Sequence, residues 1–171
     1  MEYWDIYDRD RNRTGRMMKR NDWTMSPEDY HLTVLGAIMT PDGRFLITRR
    51  VATKQWAPGA WEISGGGVLS GETSREAVNR EIREETGIDV SGCEGGRLFS
   101  YRRDNPEEGD NYFVDVYRFQ MDIRPEDVRL QEEEADDFRL ADAEEIADLG
   151  QRGEFLHYDS IRKVFDLPEN G

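Results

Sequence analysis

The residues between Gly65 and Ile88 carry the densest chemistry in the chain: GGGVLSGETSREAVNREIREETGI. Residues 73–86 read as a helix that Gly87 stops. At about 100° per residue, Arg80, Glu81, Glu84 and Glu85 share an arc of roughly 140° centred on Ala77. Val78 and Ile82 form an apolar edge beside that arc, and Asn79 and Arg83 lie roughly opposite. An acidic face therefore adjoins a stripe that must be buried. Each like-charge i,i+4 pair costs about 0.2–0.5 kcal/mol when exposed. Partial burial raises the cost, since two charges about 4 Å apart repel by about 4 kcal/mol at an effective dielectric near 20. A hard divalent cation removes the conflict, because Mg²⁺ takes carboxylate, water and phosphate oxygens. Most Glu-rich helix faces are simply solvated surface. The glycine triplet weighs against that here, because glycines let backbone groups come close to a ligand.

Several strands are needed to hold such a helix. Residues 3–7 alternate aromatic and polar side chains, a short-strand pattern. Arg9 to Arg20 holds six basic residues around Thr14-Gly15, which reads as a turn between edge strands. A phosphate-binding arm is one reading of that stretch; a solvated hairpin balanced by Asp5, Asp8 and Asp10 is the commoner one. Leu32–Met39 is a β-rich apolar run, and the Pro41-Asp42-Gly43 turn leads to its hairpin partner, 45–50. A loop over 51–60, a short strand at Trp61–Ser64 and the three glycines follow. Leu98–Arg103 and Tyr112–Met121 read as strands around the acidic loop 104–110, and helices are expected near 142–149 and 158–166. The mixture predicts an α/β or α+β sandwich.

With 23 Lys and Arg against 37 Asp and Glu, the net charge of −14 repels polyphosphate backbones and anionic lipid. General nucleic-acid and membrane binding are thereby disfavoured, while small phosphate esters are not, because a local basic pocket or a bound cation reverses the field. A single cysteine, Cys93, rules out an internal disulfide framework and any multi-thiolate metal site. No apolar run approaches the ~20 residues of a membrane span, and the opening residues do not read as a signal peptide. A soluble cytoplasmic protein is the expectation.

Gly66, five residues, Glu72, seven residues, then Arg80-Glu81-Ile82-Arg83-Glu84-Glu85-Thr86-Gly87-Ile88 resembles a complete Nudix box, matching nine specified positions over 23 residues. The resemblance runs from about Tyr30 to Phe165. It implies a Nudix α/β/α sandwich, with a mixed sheet between helices, over residues 30–166. Residues 1–29 would then be an extension forming a short hairpin, and 167–171 a tail. It further implies hydrolysis of a diphosphate linkage in a nucleoside diphosphate joined to a group X, by water attack on phosphorus with Mg²⁺ or Mn²⁺. Glu81, Glu84, Glu85 and the Gly66 carbonyl match the family's metal ligands. Arg80 is expected to pair with Glu72 and Glu81, as an ordinary helix salt bridge would also do. The base is Glu81 first; Glu133 and Glu134 on the Leu130–Glu134 loop are the alternatives, against the plainer reading of that run as a solvated turn.

Arg49 and Arg50 alternate along one strand, so only one of them can face the site. Arg50 matches a position where related hydrolases contact substrate, and its guanidinium suits phosphate. Lys54 is a second candidate, with plain surface charge as the alternative for both. Trp56 and Trp61 could each stack a base, although Trp61 beside Ile63 reads better as core. The N-terminal Trp4–Asp8 stretch and Pro58–Ser64 also resemble isopentenyl-diphosphate isomerase-like Nudix proteins. That family's cysteine and histidine positions hold Gly66 and Val68, and the box here is complete, so the hydrolase reading is preferred. A non-catalytic module sensing a nucleotide or sugar phosphate would have lost box glutamates. Homodimers are common in the family, and X is not specified by the box.

Overall fold

The computed structural model describes residues 2–167. Apart from Leu167, the expected tail at 167–171 lies outside them. A mixed sheet organises the molecule. Its centre is β3 (His31–Met39), which pairs in parallel with β8 (Tyr112–Gln120) along its whole length. On the other side β3 pairs with β6 (Ser64–Gly67) and meets β4 (Arg44–Arg50) only at Met39–Phe45. The β3 and β4 strands therefore splay apart after their turn. Strand β4 instead carries β5 (Trp61–Glu62) and β9 (Ala135–Asp142), and β7 (Glu94–Arg103) closes the far edge on β8.

Alternation along β3 divides the core in two. Leu32, Val34 and Ile38 face α1 (Ser74–Thr86), where Ala77, Val78 and Ile82 are fully buried. Ala37 and Met39 face the opposite layer with α2 (Ala143–Gln151) and α3 (Tyr158–Ile161), through Ile146, Leu149 and Ile161. The result is the expected sandwich of helices on both sides of a mixed sheet. Gly36 sets the depth of α1 on the sheet, because a Cβ there would lie 2.6 Å from Val78 Cγ2. Thr73 caps the helix in a reciprocal box with Glu76, and Gly87 at φ 76° ends it by donating to the Arg83 carbonyl.

Strands β1 (Tyr3–Tyr7) and β2 (Arg13–Lys19) form a separate antiparallel hairpin. Its turn spans 8–12, where Asp8 Oδ1 accepts from the amides of Asp10 and Asn12, and Thr14-Gly15 falls inside β2 instead of forming the turn. The glycine triplet likewise lies in a strand, since Gly65–Gly67 pair with Leu35, Val34 and Thr33. The C-terminal helix is shorter than expected, as α3 gives way to a 3-10 turn at Arg162–Phe165. No helix among the described residues is long and apolar enough to cross a membrane.

Candidate active site

Pairing of β6 with β3 brings Gly66 directly beneath α1. A Cβ on Gly66 would stand 2.4 Å from Glu81 Oε1, so only glycine leaves room for that carboxylate. Arg80 then fixes its direction. The guanidinium donates from Nε and Nη2 to Glu72 at 2.8 and 3.0 Å, and from Nη1 to Glu81 at 2.9 Å. It also reaches Glu84 at 3.4 Å and the Gly67 carbonyl at 3.2 Å. Glu72 in turn accepts from the Leu69 amide at 3.1 Å. So many anionic partners hold the Arg80 proton still more firmly than usual.

The facing wall comes from β4, β5 and two loops. Arg50 donates to Glu62 at 3.2 Å and lies over the Trp56 ring, 5.3 Å from its centroid. Lys54 pairs with Glu134, which ties the 51–60 loop to the 131–134 turn. These groups, with Arg20, Gly65, Gly66, Gln131 and the glutamates of α1, enclose a cavity of about 320 Å³. An apolar recess of about 210 Å³ adjoins it, between Trp56, His157, Leu35 and Ile161. A larger cavity, about 620 Å³, lies beside the β3–β4 turn; its described lining includes Asp42, Glu94 and Asp122 and no cationic side chain, which suits no phosphate.

Charge in the cleft is only partly compensated. Burial pushes Glu85 well above the ordinary glutamate range, and the neighbouring Glu81 and Glu62 push it further, against hydrogen bonds from Ser64 and the Gly65 amide. Burial also raises Glu81, and Arg80 offsets only part of it. Glu62 is raised by burial as well, with Arg50 and Lys54 opposing. Burial lowers His157, with the nearby Arg103 and Arg50 adding to the effect.

The structure brings together Gly66, Glu72, Arg80, Glu81, Glu84, Glu85, Arg50, Lys54 and Glu134, directly around the cavity or one contact from it. Glu133 is exposed and does not line it. Arg49 points away, to Asp136 at 2.9 Å, and Trp61 is core. Val68 is also core, packed with Val78 and Ile82. Sequence reasoning missed Glu62 and Gln131, and reached Arg20 only within a basic stretch whose phosphate-binding reading it set below a solvated hairpin. The signal for Glu62 was present, because alternation beside the buried Trp61 turns residue 62 to the other face.

A sandwich whose glycine strand seats an arginine-braced glutamate helix defines a class of diphosphate-cleaving enzymes, and sequence comparison agrees. The NUDIX domain model matches residues 29–163, and the chain belongs to the Nudix family. It is 36% identical over 170 residues to the uncharacterized Nudix hydrolase lmo0368 of Listeria monocytogenes, covering 98% of this chain and 95% of that one. Its fold is similar to DR0079 of Deinococcus radiodurans, with a TM-score of 0.75 at 23% identity over 95% and 97% of the two chains. It is also similar to the NUDIX domain of Shewanella oneidensis NrtR, solved with ADP ribose, with a TM-score of 0.62 at 16% identity over 86% and 96%. The chain is thus a Nudix pyrophosphohydrolase, an enzyme acting on acid anhydrides of small molecules. Such hydrolases generally use a divalent metal ion.

Proposed function

We propose that the chain hydrolyses a nucleoside diphosphate linked to a second group, or a closely related small diphosphate, with Mg²⁺ or Mn²⁺ held by Glu81, Glu84, Glu85 and the Gly66 carbonyl. The observation that carries this reading is the Arg80 fork, which presses the Glu81 carboxylate against Gly66 opposite the Arg50 and Lys54 wall. Among the described residues no three His, Cys, Asp or Glu side chains already form a closed metal cage. The donor set nevertheless fits a hard cation. It consists of oxygen atoms, and the buried Glu85 lacks enough positive charge to stay ionised comfortably.

When bound, the ion neutralises the diphosphate and makes an attacking water more acidic. The chain's own residues do the rest. Glu81, raised toward neutrality by burial, accepts the proton of the attacking water. Arg80 keeps that carboxylate aimed and cannot itself take the proton. As water oxygen bonds to phosphorus, the bridging P–O bond breaks and charge grows on the departing phosphate. Arg50 and Lys54 stabilise it, exchanging Glu62 and Glu134 for phosphate oxygens. Glu81 and Glu134 each begin in an ion pair, with Arg80 and Lys54; Glu81 is the base in this reading because it stands against Gly66 within the carboxylate cluster.

The test is a panel of nucleotide sugars, dinucleoside polyphosphates, modified nucleotides and coenzymes, incubated with Mg²⁺ in ¹⁸O-labelled water. Phosphorus NMR should show a cleaved diphosphate with the label in one phosphate product. Binding without turnover, or label in a carbon-linked hydroxyl, contradicts this reading.

A further inference from the structure

The β1–β2 hairpin has no part in the chemistry above, yet it carries six basic residues between Arg9 and Arg20. Two of them, Arg11 and Arg16, fasten it to the rest of the chain, and Arg13 braces it from within. Arg11 pairs with Asp115 at 2.6 Å, Arg16 with Asp29 at 2.7 Å and Arg13 with Asp5 at 3.8 Å. The Trp4 indole lies against Gly67, where a Cβ would come within 2.6 Å of Nε1. Asp5 accepts from Ser70 Oγ at 2.7 Å, beside the strand that seats Glu81. The end of β2 is therefore held at a fixed place relative to the cleft.

The next residue, Arg20, lines the catalytic cavity. Its guanidinium pairs with Glu2 at 2.5 Å, and its side chain is 56% exposed. Arg20 acts electrostatically on Glu81, whereas Arg50 and Lys54 act on Glu62. Arg20, Arg50 and Lys54 thus line one cavity together with Glu81, Glu84 and Glu85. A linear diphosphate carries negative charge at both phosphorus atoms. Arg50 and Lys54 serve one phosphate, and Arg20 is a third cation in the same cavity for the other.

Building on the hydrolase reading, we infer that Arg20 is a substrate-binding residue, leaving Glu2 to hold non-bridging oxygens of the diphosphate. The hairpin is then a third wall of the active site. The exchange is isoelectric for Arg20, because one anionic partner replaces another, and its planar fork suits two phosphate oxygens.

Calorimetric titration of inorganic pyrophosphate in the presence of Mg²⁺ tests this independently of turnover. Loss of charge-assisted hydrogen bonds predicts about 10–100-fold weaker binding for Arg20→Ala. Arg20→Lys should recover part of it, and Glu2→Gln, which frees Arg20, should bind more tightly than wild type. For any diphosphate that is hydrolysed, KM should rise in Arg20→Ala by a similar factor with kcat nearly unchanged. Unchanged pyrophosphate affinity in an Arg20→Ala protein that melts like wild type overturns the inference, as does a wild-type chain that does not bind pyrophosphate. Arg20-dependent binding by a chain that hydrolyses nothing would instead sink the hydrolase reading and leave Arg20 as a phosphate ligand.

Discussion

Two sets of carboxylates touch the same helix, one buried at its start and one half-buried toward its end, and their surroundings differ in kind. At the N-terminus of α1, Asp115 is fully buried yet surrounded by donors. Arg11 grips both its oxygens at 2.7 and 2.6 Å, and Ser74 and Ser100 each donate at 2.6 Å. Burial by itself would raise its pKa, but these bonds outweigh burial and hold it below the ordinary aspartate value. Further along α1, Glu81 and Glu85 are raised by burial, and Arg80 is the cation bonded to that face. Asp115 is solved as a structural problem, joining hairpin, sheet and helix. The glutamate cluster is left short of positive charge, which is tolerable where a cation and a substrate complete it.

The largest effect separating the two should come from metal removal. Thorough chelation should reduce turnover to background while the Asp115 clasp and the fold persist by circular dichroism. Full activity after chelation would mean that the cluster needs no cation. Next in size, Asp115→Ala should destabilise by about 3–5 kcal/mol in urea unfolding, since it leaves Arg11 and two hydroxyls without their acceptor. Glu85→Gln should move stability the other way or not at all. Equal losses from both substitutions would erase the distinction.

A smaller effect is expected in the pH dependence of the metal-free protein, and here the two regions have opposite signs. Glu85 has a raised folded pKa, so the folded state binds the extra proton between the ordinary glutamate value and the raised one. Stability should therefore increase as pH falls from neutral through that window. Asp115 has a lowered folded pKa, so its contribution is present above the ordinary aspartate value and is lost as pH falls through the lowered one. Thermal melts should show a maximum in mildly acidic solution that Glu85→Gln flattens. A monotonic fall in melting temperature from neutral pH downward contradicts this. The smallest effect is expected at Cys93, a half-buried thiol packed beside the core and not among the residues lining the cavity. Cys93→Ala should leave kcat within about twofold; abolished activity in a folded protein would reopen thiol chemistry.

Much of the fold and the heart of the site could be read from residue order alone, because both rest on local periodicity. The α1 wheel predicted a Val78–Ile82 apolar edge beside its glutamates; Ala77, expected at the centre of the charged arc, is buried with that edge, and Thr73 and Gly87 bound the helix as capping residues do. The partners contributed from a distance were not legible. Arg20 enters the cleft through the tertiary contacts of its hairpin, above all Arg11 with Asp115 far along the chain. The hairpin turn was misplaced for a related reason. Asp8 side-chain bonds fix it at 8–12, whereas Gly15 at φ 82° is absorbed within β2. His157 at φ 60° and Trp56, 5.9 Å apart between ring centroids, meet only through tertiary packing.

The central claim is that the carboxylates of α1 are arranged for turnover at some expense of stability, and Glu81→Gln tests it most directly. The substitution keeps size and helix propensity while removing charge and basicity. It should be measured as kcat at saturating Mg²⁺ on the best diphosphate from the panel, beside a thermal melt without metal. A loss of about 10²–10⁴-fold in kcat is predicted, with a melting temperature equal to or above that of wild type. Near-wild-type turnover by the folded variant, or a large fall in melting temperature with it, would contradict that claim.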